Sequence, residues 1–117
     1  LLPCAAPEKR HQALAQRMRD LLQQSVEENV TLGQLSQQLH FSVNYLIRVF
    51  RDAYGVTPHQ YLTALRLEQA QRLMAQADLP LEQIALACGF GDYASFYKAC
   101  RQARGLTPRE MRENAVL

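Results

Sequence analysis

The chain has 117 residues, enough for one domain or for two small subdomains that share helices. It is 48% hydrophobic with no Trp, five Gly and five Pro, which supports a buried core and argues against a β-sandwich or a disordered chain. A net charge of +2 permits nucleic-acid binding without demanding it, so where the charges sit matters more than their sum.

Residues 1–7, LLPCAAP, read as a tail or linker. The chain begins with Leu, which reads as a fragment or processed product with a further domain expected on its N-terminal side. The expected subdivision is a first helical subdomain over 8–56, a linker helix over 57–78 and a second helical subdomain over 79–117. No apolar run approaches membrane-spanning length and no signal peptide is evident, so a cytoplasmic protein with no membrane partner is expected. Cys4, Cys88 and Cys100 are odd in number and lack CxxC spacing, which points to reduced thiols and away from a disulfide framework or a zinc site.

The first helix is expected from about Glu8 to Val26, with Leu14, Met18, Leu21 and Val26 as its apolar stripe. Glu27, Glu28 and Asn29 interrupt it. Thr31 opens the next helix, and Gln34 three residues on completes a capping box. Leu32, Leu35 and Leu39 form its buried face, and it stops near His40. Ser42 is a good N-cap for a helix running to about Tyr54. Leu46, Val49, Phe50 and Ala53 fall on its inner face, leaving Val43, Asn44, Ile47, Arg48 and Arg51 outward. Gly55 suits a left-handed C-cap.

Thr57, Pro58 and Gln60 supply an N-cap, a proline at the first helical position and a capping partner. That helix can run to about Ala77, and twenty residues span roughly 30 Å. Asp78, Leu79 and Pro80 break it. A short helix follows from Leu81 to Cys88. Ala85 lets two helices approach, and Gly89, four residues later, accepts a left-handed turn. Asp92 caps the next helix, which ends at Gly105. Phe96, Ala99, Cys100 and Ala103 face inward; Tyr93, Ala94, Tyr97, Lys98 and Arg101 face outward. Thr107, Pro108 and Glu110 repeat the capping box and open a last short helix. No strand signal of any length is present, so the expected fold is all-α.

The chain also nearly repeats itself about fifty residues apart. SVNYLIRVFRDAYGVTP (Ser42 to Pro58) aligns without gaps on DYASFYKACRQARGLTP (Asp92 to Pro108). Upstream, QLSQQLHF (Gln34 to Phe41) meets QIALACGF (Gln83 to Phe90), with Gly91 as the extra residue where a turn belongs. Two copies of helix, tight turn and cation-bearing second helix suggest two DNA-reading units in tandem.

At these residues the sequence resembles the DNA-binding domain of the AraC/XylS family of bacterial transcription regulators. The strongest stretch is IALACGFGDYASFYKACRQARGLTPREMR, Ile84 to Arg112, and RLEQAQRLM, Arg66 to Met74, is similar to the family's connecting helix. The likeness covers about residues 10–113. It implies seven helices, two helix-turn-helix subdomains joined by a long helix, and recognition helices in two successive major-groove segments. It implies double-stranded DNA as ligand, RNA polymerase as a partner, transcription activation as the usual outcome, and a separate effector or dimerisation domain. Three residues depart from the family pattern. Cys100 stands for a usual Phe, Met111 for a common aromatic and His40 for a frequent Gly.

Arg48 and Lys98 occupy equivalent outward places and are the candidates for base contact, Arg with guanine being the commonest such pair. Arg51 and Arg101, one turn on, are candidates for phosphate contact. Ile47 is read either as packing on a thymine methyl or as an edge-of-core residue. Asn44 suits adenine or a phosphate, and Ala94 shares its place in the second helix. Tyr93 and Tyr97 are candidates for backbone or base contact, with Tyr93 alternatively covering the helix start. Amides near Thr57 and Thr107 are candidate phosphate sites, since helix N-termini attract anions. His11, His40 and His59 do not cluster, no cofactor or metal is expected, and no motif of an enzyme is present. A helical protein–protein module binding polymerase or a partner regulator is the alternative from another class. Ala99 and Cys100 are smaller than Val49 and Phe50, a loss partly returned by Phe96 in place of Leu46, and the balance further predicts a less stable second subdomain.

Overall fold

A computed structural model describes the backbone of residues 2–115 except 27, 29 and 77, and side chains within 10–114. The described residues form α1 (Leu2–Gln24), α2 (Leu32–Leu39), α3 (Val43–Tyr54), α4 (Pro58–Gln76), α5 (Leu81–Ala87), α6 (Tyr93–Arg104) and α7 (Pro108–Ala115), with no strand among them. The chain divides into two compact units, residues 1–25 with 30–62 and residues 26–29 with 63–117, so α4 contributes to both.

Local signals set most helix ends. The Thr31 hydroxyl accepts from the Gln34 amide while the Gln34 side chain accepts from the Thr31 amide, closing the expected capping box. Thr57 with Gln60 and Thr107 with Glu110 make the same reciprocal pair at α4 and α7. Their prolines fill the first helical position, where an N–H would have no partner. Gly55 and Gly105 end α3 and α6 at φ 78° and 70°, in the left-handed region that glycine enters without strain.

One end differs from expectation. Residues 2–7 belong to α1 and are not a tail, and the helix closes at Gln24, short of Val26. Pro3 falls in the first turn, which tolerates a missing N–H, and Ala5 and Ala6 are strong helix formers. Glu27 and Asn29, read as part of the break, lie outside the described residues, as does the side chain of Cys4.

In the first unit α1 and α2 both pack on α3. Met18 and Leu22, Leu35 and Leu39, Leu46 and Phe50, and Leu62 form its buried cluster. The Phe50 ring lies 4.8 Å from that of Tyr54 and 5.4 Å from that of Tyr61. In the second unit α6 packs on α5 and α7. Leu67, Ala70 and Met74 of α4, Ile84, Ala85 and Cys88, Phe96 and Cys100, and Met111 form the cluster. Cys88 and Cys100 are therefore core residues as expected, and burial pushes the Cys100 thiol up to about 11, which keeps it neutral. Two inner-face assignments need correction. Ala53 and Ala103 are exposed, although helical spacing puts them on the buried stripe.

Arg66 has a structural part that its place in a long polar helix does not announce. Its guanidinium donates to the carbonyls of Val26 (3.0 Å) and Glu28 (2.8 Å) and lies 6.0 Å over the Phe90 ring. Burial lowers its pKa from the ordinary arginine value. Arg112 likewise donates to the carbonyl of Leu79.

Candidate nucleic-acid interface

The repeat places α3 and α6 as the second helix of each helix-turn-helix. Each has 12 residues and a side-chain cap at its start. The Ser42 hydroxyl accepts from the Tyr45 amide at 3.2 Å, and the Asp92 carboxylate accepts from the Ser95 amide at 2.8 Å. The bond to the Ser95 amide holds the Asp92 carboxyl below its ordinary pKa. The turn before α3 uses His40 at φ 64°, a non-glycine residue in the left-handed region. The turn before α6 uses Gly89 at φ 89° and Gly91 at φ 75°.

The buried residues decide which faces are left over. Leu46, Val49 and Phe50 face the core of the first unit. Asn44, Arg48 and Arg51 are exposed on the other side of α3, and Ile47 is half-buried between the two faces. In α6, Phe96 and Cys100 are buried and Ala99 half-buried. Ala94, Tyr97, Lys98 and Arg101 are exposed. Both helices thus present a small or polar residue in the first turn and two cations one turn apart, a pattern suited to base edges and flanking phosphates.

Tyr93 stands apart from that row. It is half-buried against the core, 6.1 Å from the Phe96 ring in an edge-on arrangement, and 6.4 Å from Tyr97. Desolvation, with the charge of Glu82, raises its pKa from the ordinary tyrosine value. It covers the start of α6, while Tyr97 keeps 43% of its surface exposed and is the aromatic available to a ligand.

The helix starts at Thr57 and Thr107 have less to offer an anion than their position suggests. Each capping box uses two amides and each proline removes a third, so His59 and Arg109 hold the first-turn amides outside the boxes. The Glu110 carboxylate adds a negative charge at the start of α7, and its bond from the Thr107 amide lowers its pKa. Sequence reasoning missed Arg109. With Thr107, Tyr93, Tyr97, Arg112 and the acidic Glu82 it lines an open groove of about 560 Å³, beside the exposed face of α6. The signal was present, since Arg109 falls two residues after the N-cap, in the first turn of α7. Arg104, by contrast, turns to α4 and donates to Gln71 at 2.9 Å.

Comparisons with known proteins bear on the family and the fold. Residues 35–114 match the family described as "Helix-turn-helix domain". The HTH-type transcriptional activator RhaS of Pectobacterium atrosepticum is 36% identical over 94 residues, which is 80% of this chain and 34% of that protein. The chain spans about a third of the length of the curated relatives it matches. An AraC-type DNA-binding domain-containing regulator from Chromobacterium violaceum is structurally similar, with a TM-score of 0.73, 29% identity, and 94% and 96% of the two chains covered. The DNA-binding domain of AdpA, solved in complex with a target DNA, has a TM-score of 0.76 and 25% identity over 86% of this chain and 90% of that one. The family match takes in both recognition helices and more than half of the residues, and the chain belongs to the AraC/XylS-type helix-turn-helix family of transcription regulators.

Proposed function

We propose that this chain binds double-stranded DNA sequence-specifically, with α3 and α6 each entering the major groove at successive segments of one site. The observation that carries the reading is the pair of capped helices whose exposed faces repeat the same arrangement of cations. Arg48 and Lys98 read base edges, with Asn44, Ile47, Ala94 and Tyr97 shaping the contact around them. Arg51 and Arg101, one turn on, hold phosphates and set the register. Arg109 and the groove at Thr107 add a further backbone contact, and Thr57 acts chiefly as a cap. No chemistry is performed on the DNA.

The AdpA domain solved on its target DNA and the activator RhaS support this reading and its direction. Transcription activation in the cytoplasm, with RNA polymerase as a second partner and an effector or dimerisation domain on the N-terminal side, belongs to the same proposal. Selection of duplexes from a random pool, followed by mobility-shift titration at several salt concentrations against a scrambled control, tests it. The expected result is an enriched site bound well above the control, with affinity for both falling linearly in log salt. A pool that enriches nothing, with equal binding to every duplex, overturns it.

A further inference from the structure

The reading face of α3 carries an aromatic device that α6 lacks. The Arg48 guanidinium lies 5.5 Å from the centroid of the Tyr45 ring, one turn earlier on the same helix, within cation–π range. Tyr45 is half-buried, and its ring is itself held. Phe41 stacks on it at 5.2 Å with 27° between the planes, and His11 of α1 meets it edge-on at 5.6 Å. The Ser36 hydroxyl donates to the Phe41 carbonyl, which fixes the backbone there, while the Phe41 ring stays exposed on its outer side. In the second unit the repeat places Ser95 where Tyr45 stands, so Lys98 has no ring one turn before it.

We infer that Tyr45 is a positioning residue for Arg48: the Phe41–Tyr45 stack orients the guanidinium on the outer face of α3 before DNA arrives. The inference rests on the proposed base contact of Arg48. A bidentate contact to guanine requires the guanidinium plane in one orientation. An arginine already restrained by a fixed ring loses less rotamer freedom on binding, so more of the contact appears as discrimination. The first unit therefore reads its bases more strictly than the second, beyond the difference between Arg and Lys.

The test measures competition binding of the full chain to its selected duplex and to every single-base-pair variant, for Arg48→Ala, Tyr45→Leu, Tyr45→Phe and Phe41→Leu. Arg48→Ala marks the base pair that Arg48 reads. Tyr45→Leu is expected to relax preference at that base pair by about two- to fivefold, the range of an exposed cation–π pair. Preferences elsewhere and the salt slope stay as they were, and Tyr45→Phe restores discrimination. Should Tyr45→Leu not fold by circular dichroism, Phe41→Leu removes the stacking partner and is expected to relax the same base pair to a lesser degree. If Arg48→Ala relaxes one base pair and neither Tyr45→Leu nor Phe41→Leu touches it, the positioning role falls and the base contact stands. If Arg48→Ala changes no preference, both fall. Loss spread evenly over all base pairs marks a structural role for Tyr45. A sharpened preference shows that the ring holds Arg48 back. Either result overturns the inference.

Discussion

Phe50 and Cys100 hold the same place in α3 and α6, and both are fully buried. The first unit closes its core around a large ring that meets Tyr54 and Tyr61. The second puts a thiol at that place and a buried ring one turn earlier, Phe96 where the first has Leu46, with Phe90 5.1 Å from it, and adds Met111 from α7 and Leu67, Ala70 and Met74 from α4. One backbone plan therefore tolerates two core compositions, provided the neighbours of the recognition helix change with it. The difference gives the largest expected effect. Phe50→Ala should cost about 3–5 kcal/mol, because it empties a site lined by three helices. Cys100→Ala removes one sulfur and should cost about 1 kcal/mol. Urea denaturation of the two variants measures both, and equal costs would break the comparison. Hydrogen exchange in the parent should find amides in residues 94–104 less protected than those in 44–54. Greater protection in the second helix would show that Met111 and its neighbours fully make up for the missing ring.

The reading faces differ in the same sense. Arg48→Ala should relax preference at one or two base pairs by about 1–3 kcal/mol, as for a bidentate guanine contact. Lys98→Ala should relax its own base pair less, since an ammonium is a point charge without a planar fork. Arg51→Ala and Arg101→Ala should instead weaken every duplex and each flatten the salt slope by about one. Mobility shifts over a salt series separate the two behaviours. A base preference altered by Arg51→Ala with the slope intact would reverse the assigned roles.

What could be read from the residues was mostly local. Capping boxes, N-cap hydroxyls and C-cap glycines involve partners within three or four positions, so Thr31, Ser42, Thr57, Asp92 and Thr107 announce their helices without help. The repeat then identifies α3 and α6 as equivalent, and with them Arg48 and Lys98. Features that depend on a second element were less legible. Helical spacing puts Ala53 on the inner stripe, but α1 opposes it with His11, Gln12 and Gln16, and the space stays an open groove. Among the described side chains of α1 the buried residues are Ala15, Met18 and Leu22, with Leu14 and Leu21 only half-buried, so the stripe is turned slightly from the expected one through Leu14, Met18 and Leu21. Arg66 looks like a surface cation of a long helix until the carbonyls of Val26 and Glu28, some forty residues earlier, are brought to it. Its role required the tertiary structure.

The caps sharpen the comparison at smaller energies. Thr57→Ala and Thr107→Ala should each cost about 1 kcal/mol by thermal melting, the usual loss for an N-cap. Their response to acid should differ. The second unit caps α6 with Asp92 and closes the α7 box with Glu110, and both carboxyls have pKa values lowered by amide hydrogen bonds. The corresponding groups in the first unit are Ser42 and Gln60, which do not titrate. A carboxyl with a lowered folded pKa stabilises fully above its unfolded value, and that contribution disappears as the pH falls through the folded value. The second unit should therefore lose protection as the pH drops below about 4, ahead of the first. Hydrogen exchange against pH reads this directly. Asp92→Asn with Glu110→Gln should flatten the difference, and an unchanged pH profile in that double variant would place the acid sensitivity elsewhere.

The smallest expected effect lies in the two turns. His40 and Gly89 hold matching places in the repeat, and both are left-handed, at φ 64° and 89°. A residue with a Cβ is strained there by roughly 1–2 kcal/mol, whereas glycine is not. His40 nevertheless closes α2, its amide donating to the Ser36 carbonyl at 2.9 Å, so the turn forms in spite of the strain. Its side chain is exposed and packs into no core cluster, so little contact is lost when it is removed. His40→Gly should relieve the strain, and the extra freedom of glycine in the unfolded chain offsets part of that gain. The net result expected is a stabilisation of about half to one kcal/mol, with α2 and α3 gaining protection while α5 and α6 are unchanged. A destabilised His40→Gly would mean that the imidazole contributes more to the turn than its exposure suggests, and the two turns would then differ in more than their backbone strain.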